Sequence, residues 1–261
     1  MGVKVKFRQL TALTLLGFRE SLRDRSSYML LISGLAMLFL AVIVGNMAVG
    51  GAQRIIQNMG FWVLGLWGLF SIMYFGSRNL NVDLEKRTIY LILSRPVSRP
   101  VYILGKYLGL SCVLFCLFAV LTAAWTGLLF LWHVPVSFEH FLAAVFIFGE
   151  WLLLAAVSLF FCTFTTPYTH NFFLAGVYVL GHLSSDLLRF ARITELDWLG
   201  LVLKAVYYVF PNLEALNFRK AALYQDAMDP EMLLMAVFVL IGWIAAALLG
   251  ANAVFAGKKI K

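Results

Sequence analysis

Charge is what this sequence has least of. Only 13% of its 261 residues are Asp, Glu, Lys or Arg, while 62% are hydrophobic. Ordinary soluble domains run near 25% charged and 45–50% apolar. A soluble chain of this size would have to bury almost all of its apolar residues, which surface-to-volume scaling does not allow. The mean hydropathy of +0.88 therefore excludes an ordinary soluble fold. Histidine and cysteine are scarce as well, at four and three. Cys112 and Cys116 share a helical face inside an apolar run, and Cys162 lies in another. They read as small packing residues, not a disulfide framework or metal site. His133, His140 and His170 fall at loop edges and read as solvated. His133, His140 and His182 could all lie outside, but no fixed ligand spacing joins them, so no metal is expected.

A phosphate-cradling loop is missing too. It needs Gly-x4-Gly-Lys followed by Ser or Thr, so that backbone amides and the lysine hold the phosphates. The Gly-Lys pairs are Gly105-Lys106 and Gly257-Lys258, followed by Tyr107 and Lys259, with Pro100 and Asn252 where the first glycine belongs. No extramembrane stretch is long enough for a nucleotide-binding domain. The chain is thus expected to be no enzyme, to have no catalytic residue and to bind no cofactor itself. We find no internal repeat. The net charge of +8 and pI near 9.5 raise the question of nucleic acid. The basic residues sit between apolar runs, however, where headgroup attraction and topology explain them, and no nucleic-acid partner is expected.

What is present is a set of long apolar runs. Six come close to the ~20 residues that cross a bilayer: Tyr28–Val49, Phe61–Gly76, Tyr107–Trp132, Phe141–Thr163, Asn171–Leu188 and Met232–Ala256. Residues Ile55–Met59 could extend the second. No dyad alternation of a membrane barrel appears, so the spans read as helices. With the N-terminus inside, fifteen Lys and Arg residues fall in inner segments and six in outer ones. This predicts both termini in the cytoplasm and an even span count. The first 27 residues lack the form of a secretory signal. Leu15, Phe18 and Leu22 recur on one face, with Arg19, Glu20, Arg23 and Asp24 around the other, which predicts an interfacial amphipathic helix. Two connections are long, Ser77 to Lys106 inside and Arg189 to Glu231 outside. The outer one predicts short helices resting on or dipping into the bundle mouth.

In the inner connection Leu84, Thr88, Leu91 and Ile92 fall at helical spacing, with Asp83, Glu85, Lys86 and Arg87 between them. This predicts a short amphipathic helix along the membrane, ended by Pro96 and Pro100, which force an extended passage. Such a strut suits contact with a cytoplasmic partner; an ordinary basic loop against lipid is the alternative.

The same residues resemble a known family. Glu85-Lys86-Arg87-Thr88, then Leu91-Ile92-Leu93-Ser94-Arg95-Pro96-Val97-Ser98-Arg99 and Leu104-Gly105-Lys106, resemble the signature of ATP-binding-cassette type-2 permeases. Phe18 to Arg25 looks like that family's amphipathic entry helix, and Phe210-Pro211-Asn212-Leu213-Glu214 like its segment before the last span. Arg87 departs from the usual glycine, though a helix tolerates Arg better. The nearest look-alikes include permeases of copper-enzyme maturation; copper is not carried over, since no Met- or Cys-rich ligand cluster is present.

The resemblance implies an all-α membrane protein forming one permease domain over residues 1–261. An interfacial helix (1–27) would lead into a six-span bundle (28–256), with a coupling helix between spans 2 and 3, external helices between spans 5 and 6, and a cytoplasmic tail (257–261). It further implies a plasma (bacterial inner) membrane exporter subunit, paired with an identical or closely related permease. Asp83, Leu84, Glu85, Lys86, Arg87, Thr88, Leu91 and Pro96 would dock on a separate ATPase subunit that binds ATP and Mg.

Charges inside spans are costly, and each is a functional hypothesis by default. Glu150 lies near the middle of the fourth span and reads as hydrogen-bonded glue between helices or as a substrate or proton group. His182 and Asp186 stand one turn apart, so they could pair at the outer mouth, line an exit path or touch a metal weakly. Gly105 with Gly109, and Ala246 with Gly250, permit close helix approach. Two rivals remain open on residues alone: a self-contained channel or secondary carrier centred on Glu150, and a membrane enzyme built around His182 and Asp186.

Overall fold

In hydrocarbon every backbone N–H and C=O must be satisfied within its own segment, and the apolar runs meet that demand as helices. The computed structural model describes residues 3–47, 51–85, 98–194, 196–226 and 228–257. Among them the order is α1 (Val3–Arg23), α2 (Arg25–Met47), α3 (Ala52–Glu85), α4 (Arg99–Leu131), α5 (Phe138–Cys162), α6 (Pro167–His182), α7 (Ser184–Ile193), α8 (Asp197–Val209), a 3-10 turn (Glu214–Leu216), α9 (Arg219–Tyr224) and α10 (Pro230–Gly257). The fold is all-helical. Five helices, α2, α3, α4, α5 and α10, are long and apolar enough to span a membrane. A sixth exists if α8 and the Glu214–Tyr224 segment, bent by 51°, count as one.

The predicted fifth span is the exception. α6 has 16 residues, or about 24 Å at 1.5 Å per residue, short of the ~30 Å hydrocarbon core. The chain breaks at Leu183, where the Ser184 hydroxyl bonds Gly181 O at 2.9 Å and Asn212 Oδ1 at 2.6 Å. Beyond it Asp186, Arg189 and Arg192 make α7 too polar for lipid, and α7 packs on α8 instead.

α5 is the hub. Its most apolar window is 72% buried, against 11% for α10, so the rest of the chain leaves most of α10 uncovered. α3 lies against α4 and α5 by virtue of two glycines. A Cβ at Gly60 or Gly68 would stand within 2 Å of the indole Nε1 of Trp125 or Trp151, so glycine makes room for both rings. α4 begins at Arg99, earlier than predicted, with Pro100 in its first turn. The missing N–H of proline costs nothing there, which is why Pro100 starts the helix and does not hold the chain extended. The Arg99 guanidinium bonds Phe255 O at 3.2 Å and also Ala256 O, closing the C-terminal end of α10. Cations suit that end of a helix.

α1 packs on α4. Leu13, Gly17 and Phe18 turn inward, whereas Leu15 and Leu22 are exposed. The glycines of α4 decide this. A Cβ at Gly105 would lie 2.7 Å from Leu13 Cβ, and one at Gly109 would lie 3.2 Å from Thr14 O. The small-xxx-small pair thus receives α1. Replacing Gly105 with Val is expected to cost about 1–3 kcal/mol by overpacking. It should also expose α1 to limited proteolysis. The same change at Gly127, where a Cβ meets nothing within 4 Å, is expected to be silent in thermal unfolding and proteolysis alike.

Candidate functional site

Glu150 stands midway along α5 and is 2% exposed. A buried carboxylate must be paired or neutralised, and three elements converge on it. His182, the last residue of α6, brings Nε2 to 2.9 Å from Oε1. Arg219, at the start of α9, brings Nη2 to 3.5 Å from Oε2. Glu214 of the 3-10 turn approaches His182 Nδ1 at 3.8 Å and accepts a bond from Asn217 Nδ2 at 3.0 Å. The edge-on Tyr178 ring lies 4.6 Å from the imidazole, centroid to centroid.

Arg219 is itself buried, and it reaches the site because α3 has no side chain there. A Cβ at Gly65 would fall 2.4 Å from Nη2. The Phe210–Glu214 segment holds the turn in place. Leu213 N–H bonds Gly181 O at 3.1 Å, and Asn212 Oδ1 accepts the Ala215 N–H at 3.1 Å. Gly181 is obligatory, since a Cβ would meet Leu213 Cγ at 2.6 Å. Two carboxylates, a guanidinium and an imidazole therefore knit four elements together around the middle of α5. The His182–Glu150 bond is served by a proton on either group, so the arrangement can hold a proton as well as a charge.

Of the three residues singled out in the spans, Glu150 and His182 are brought together. Asp186 is not: α6 ends before it, and it lies exposed in the first turn of α7 with no ion pair to His182. Two histidines read as solvated are buried instead. His140 Nδ1 lies 2.9 Å from Ser137 Oγ at the start of α5, its ring stacked on Phe61. His170 Nε2 lies 2.8 Å from Ser158 Oγ across the α5–α6 contact. Both sit at helix ends that fold back into the bundle. Glu214 and Arg219 were missed, because an external segment gives no sign of which basic residue turns inward. The need of Glu150 for a cation was the available signal.

At the opposite end, α3 continues unbroken past the predicted span to Glu85, so the backbone of Asp83, Leu84 and Glu85 forms the last turn of α3. Lys86, Arg87, Thr88, Leu91 and Pro96, with the amphipathic helix expected there, lie outside the described residues. Just before that turn, Tyr74 and Arg78 hold Asp24, which links α1 to α2. Tyr74 Oη donates to Asp24 Oδ2 at 2.7 Å, and Arg78 Nη1 lies 3.2 Å from the same oxygen. Partial burial pushes the Asp24 carboxyl up. Hydrogen bonds from Tyr74 and Ser26 and the Arg78 charge outweigh it and set the carboxyl below its ordinary range.

A family model described as ABC-2 family transporter protein matches residues 18–188. The chain belongs to the ABC-2 transporter family. No curated protein matches it. The match takes in Asp24, the inner connection, Glu150 and His182 of this ABC-2 membrane domain, while Glu214 and Arg219 lie beyond it. It reaches the family and not the copper-enzyme-maturation branch.

Arg219→Met leaves a buried carboxylate short of its cation and is expected to cost about 3–5 kcal/mol. The double variant Glu150→Gln/Arg219→Met is expected to lose clearly less than the sum of the singles in a thermal-unfolding cycle. Asp24→Asn is expected to cost about 1 kcal/mol at pH 7. Because the folded carboxyl is the stronger acid, that difference should persist above pH ~4 and vanish as pH falls through the folded value. Unfolding midpoints of both proteins across pH 3–7 check the sign.

Proposed function

We infer that the chain is the permease subunit of an ATP-driven exporter, coupled through its inner connection to a separate cytoplasmic ATPase. Family membership supports a permease with an ATP-binding-cassette partner in general. The observation that carries the coupling is the unbroken α3. A displacement applied at Asp83–Glu85 travels along one rigid rod to Ala52 at the other end. On the way it passes Arg78 and Tyr74, which grip the α1–α2 junction, and Gly65, which seats Arg219. ATP and Mg belong to the partner, and Glu85, Lys86, Arg87, Thr88, Leu91 and Pro96 complete the docking surface. Both termini lie in the cytoplasm of a bacterial inner membrane, and two copies or close paralogues face each other. Glu150 and His182 then sit on the outer half of the path, paired with Arg219 and Glu214 in this state. Their separation would accompany opening, a two-state contact of the kind transporters use for gating.

Purification of the chain in mild detergent together with its genomic neighbours provides the test. A stoichiometric soluble ATPase is expected to come with it and to be lost when Glu85, Lys86 and Arg87 are reversed in charge. Transport by the chain in liposomes with no ATPase present would sink the reading.

A further inference from the structure

α6 and α10 both lie on α5 but scarcely meet each other. Between them is a cavity of about 590 Å³. Phe160 and Phe161 of α5 floor it, Phe173, Gly176 and Leu180 form one wall, and Trp243, Ala246 and Gly250 form the other. Each wall is a single helical face, so the two faces confront one another across a gap where helices normally interlock. Small residues hold it open. A Cβ added at Gly176 would meet nothing within 4 Å, and one added at Gly250 would lie 3.1 Å from the Phe160 ring and not against α6.

No lining side chain carries a charge, hydroxyl or amide. Water needs two to four polar partners to occupy such a space, and here it finds almost none. A void of this size left empty would forfeit the contacts of every group around it. The rim is continuous with the bilayer-facing surface of the protein, since Phe172 on α6 and Phe238 and Ile241 on α10 are exposed large apolar residues of membrane helices. The outer end is roofed by Phe210 and Pro211, which belong to the turn fixed on Gly181. A membrane-spanning helix from a second copy could not run past that roof. A flexible alkyl chain can enter from the side and end beneath the roof, against a lining that is apolar throughout.

We propose that this groove is a binding site for one alkyl chain of a membrane lipid, entering laterally between α6 and α10 beneath the Phe210–Pro211 roof. The site is independent of ATPase coupling and of the direction of transport. A phospholipid carrying a photoactivatable diazirine near the end of its acyl chain, incorporated with the unmodified protein into nanodiscs, is expected to label Phe173–Leu180 and Trp243–Gly250. Excess unlabelled phospholipid should suppress that labelling saturably. Native mass spectrometry should show about one phospholipid retained per chain after extensive detergent washing. Gly176→Trp, whose indole would occupy the groove, should abolish both signals. Gly242→Trp, in open space on the same α10, should leave both unchanged. Labelling spread evenly over the exposed apolar surface, or retention unaltered in Gly176→Trp, would overturn the site. A cysteine at Ala246 that crosslinks efficiently to a second copy would overturn it as well, by giving the groove to protein.

Discussion

A carboxylate in the middle of a membrane helix cannot stand alone, and one end of this protein is arranged around that demand. Glu150 needs a cation, and no residue of α5 or its neighbour α3 provides one at that depth. The chain therefore brings Arg219 in from the external segment, over the bare backbone of Gly65. For Arg219 to arrive there, the Phe210–Tyr224 segment must fold back into the bundle instead of skirting it. For the segment to fit, α6 must stop at His182, leaving room at Gly181 for Leu213. One buried charge thus accounts for a short helix, a re-entrant turn and two glycines.

Replacing such a network with apolar side chains of similar volume is often neutral or stabilising, so stability alone is a weak reason for its presence. A switch or registry role is the better-attested use of a buried ionic group. Here the four ionisable groups come from four different elements, and Glu150 and His182 each meet two of the others. Displacement of α3 bears on the network directly, because the Arg219 guanidinium rests on it. The Asp24 cluster joins the same helix to α1 at its other end. α3 therefore touches both charge clusters, which makes it the natural carrier of movement between them.

The long apolar runs were legible because lipid leaves helices few alternatives, and Glu150 and His182 stood out because charge is expensive at membrane depth. What was not legible shares a cause. Leu15 and Phe18 look equivalent on a helical wheel, and only the glycines of α4 decide that Phe18 turns inward. His140 and His170 sit at run boundaries, where a polar residue is as readily an inward cap as a solvated end. Arg219 and Lys220 are adjacent in an external segment, and which of them enters depends on a glycine more than 150 positions away. Periodicity reports which residues share a face; it does not report what that face meets. Asp186 shows the converse, since the i,i+4 spacing from His182 assumed a helix that Ser184 and Asn212 interrupt.

The turn from Phe210 to Glu214 belongs to two environments at once. Phe210 and Pro211 roof the apolar groove, while Glu214 reaches His182 on the polar side. Leu213, fully buried against Gly181, is the pivot between them. If a chain in the groove holds Phe210 and Pro211 in place, it favours the position in which Glu214 meets the imidazole. Separation of His182 from Glu150 and Glu214 frees the turn to move and loosens the roof. The two occupancies are then linked by a shared rigid element, with no contact between them, and whatever favours one must favour the other by the same free energy. Such reciprocity would make a bound lipid a participant in the ionic clasp and not merely a filler of the space beside it.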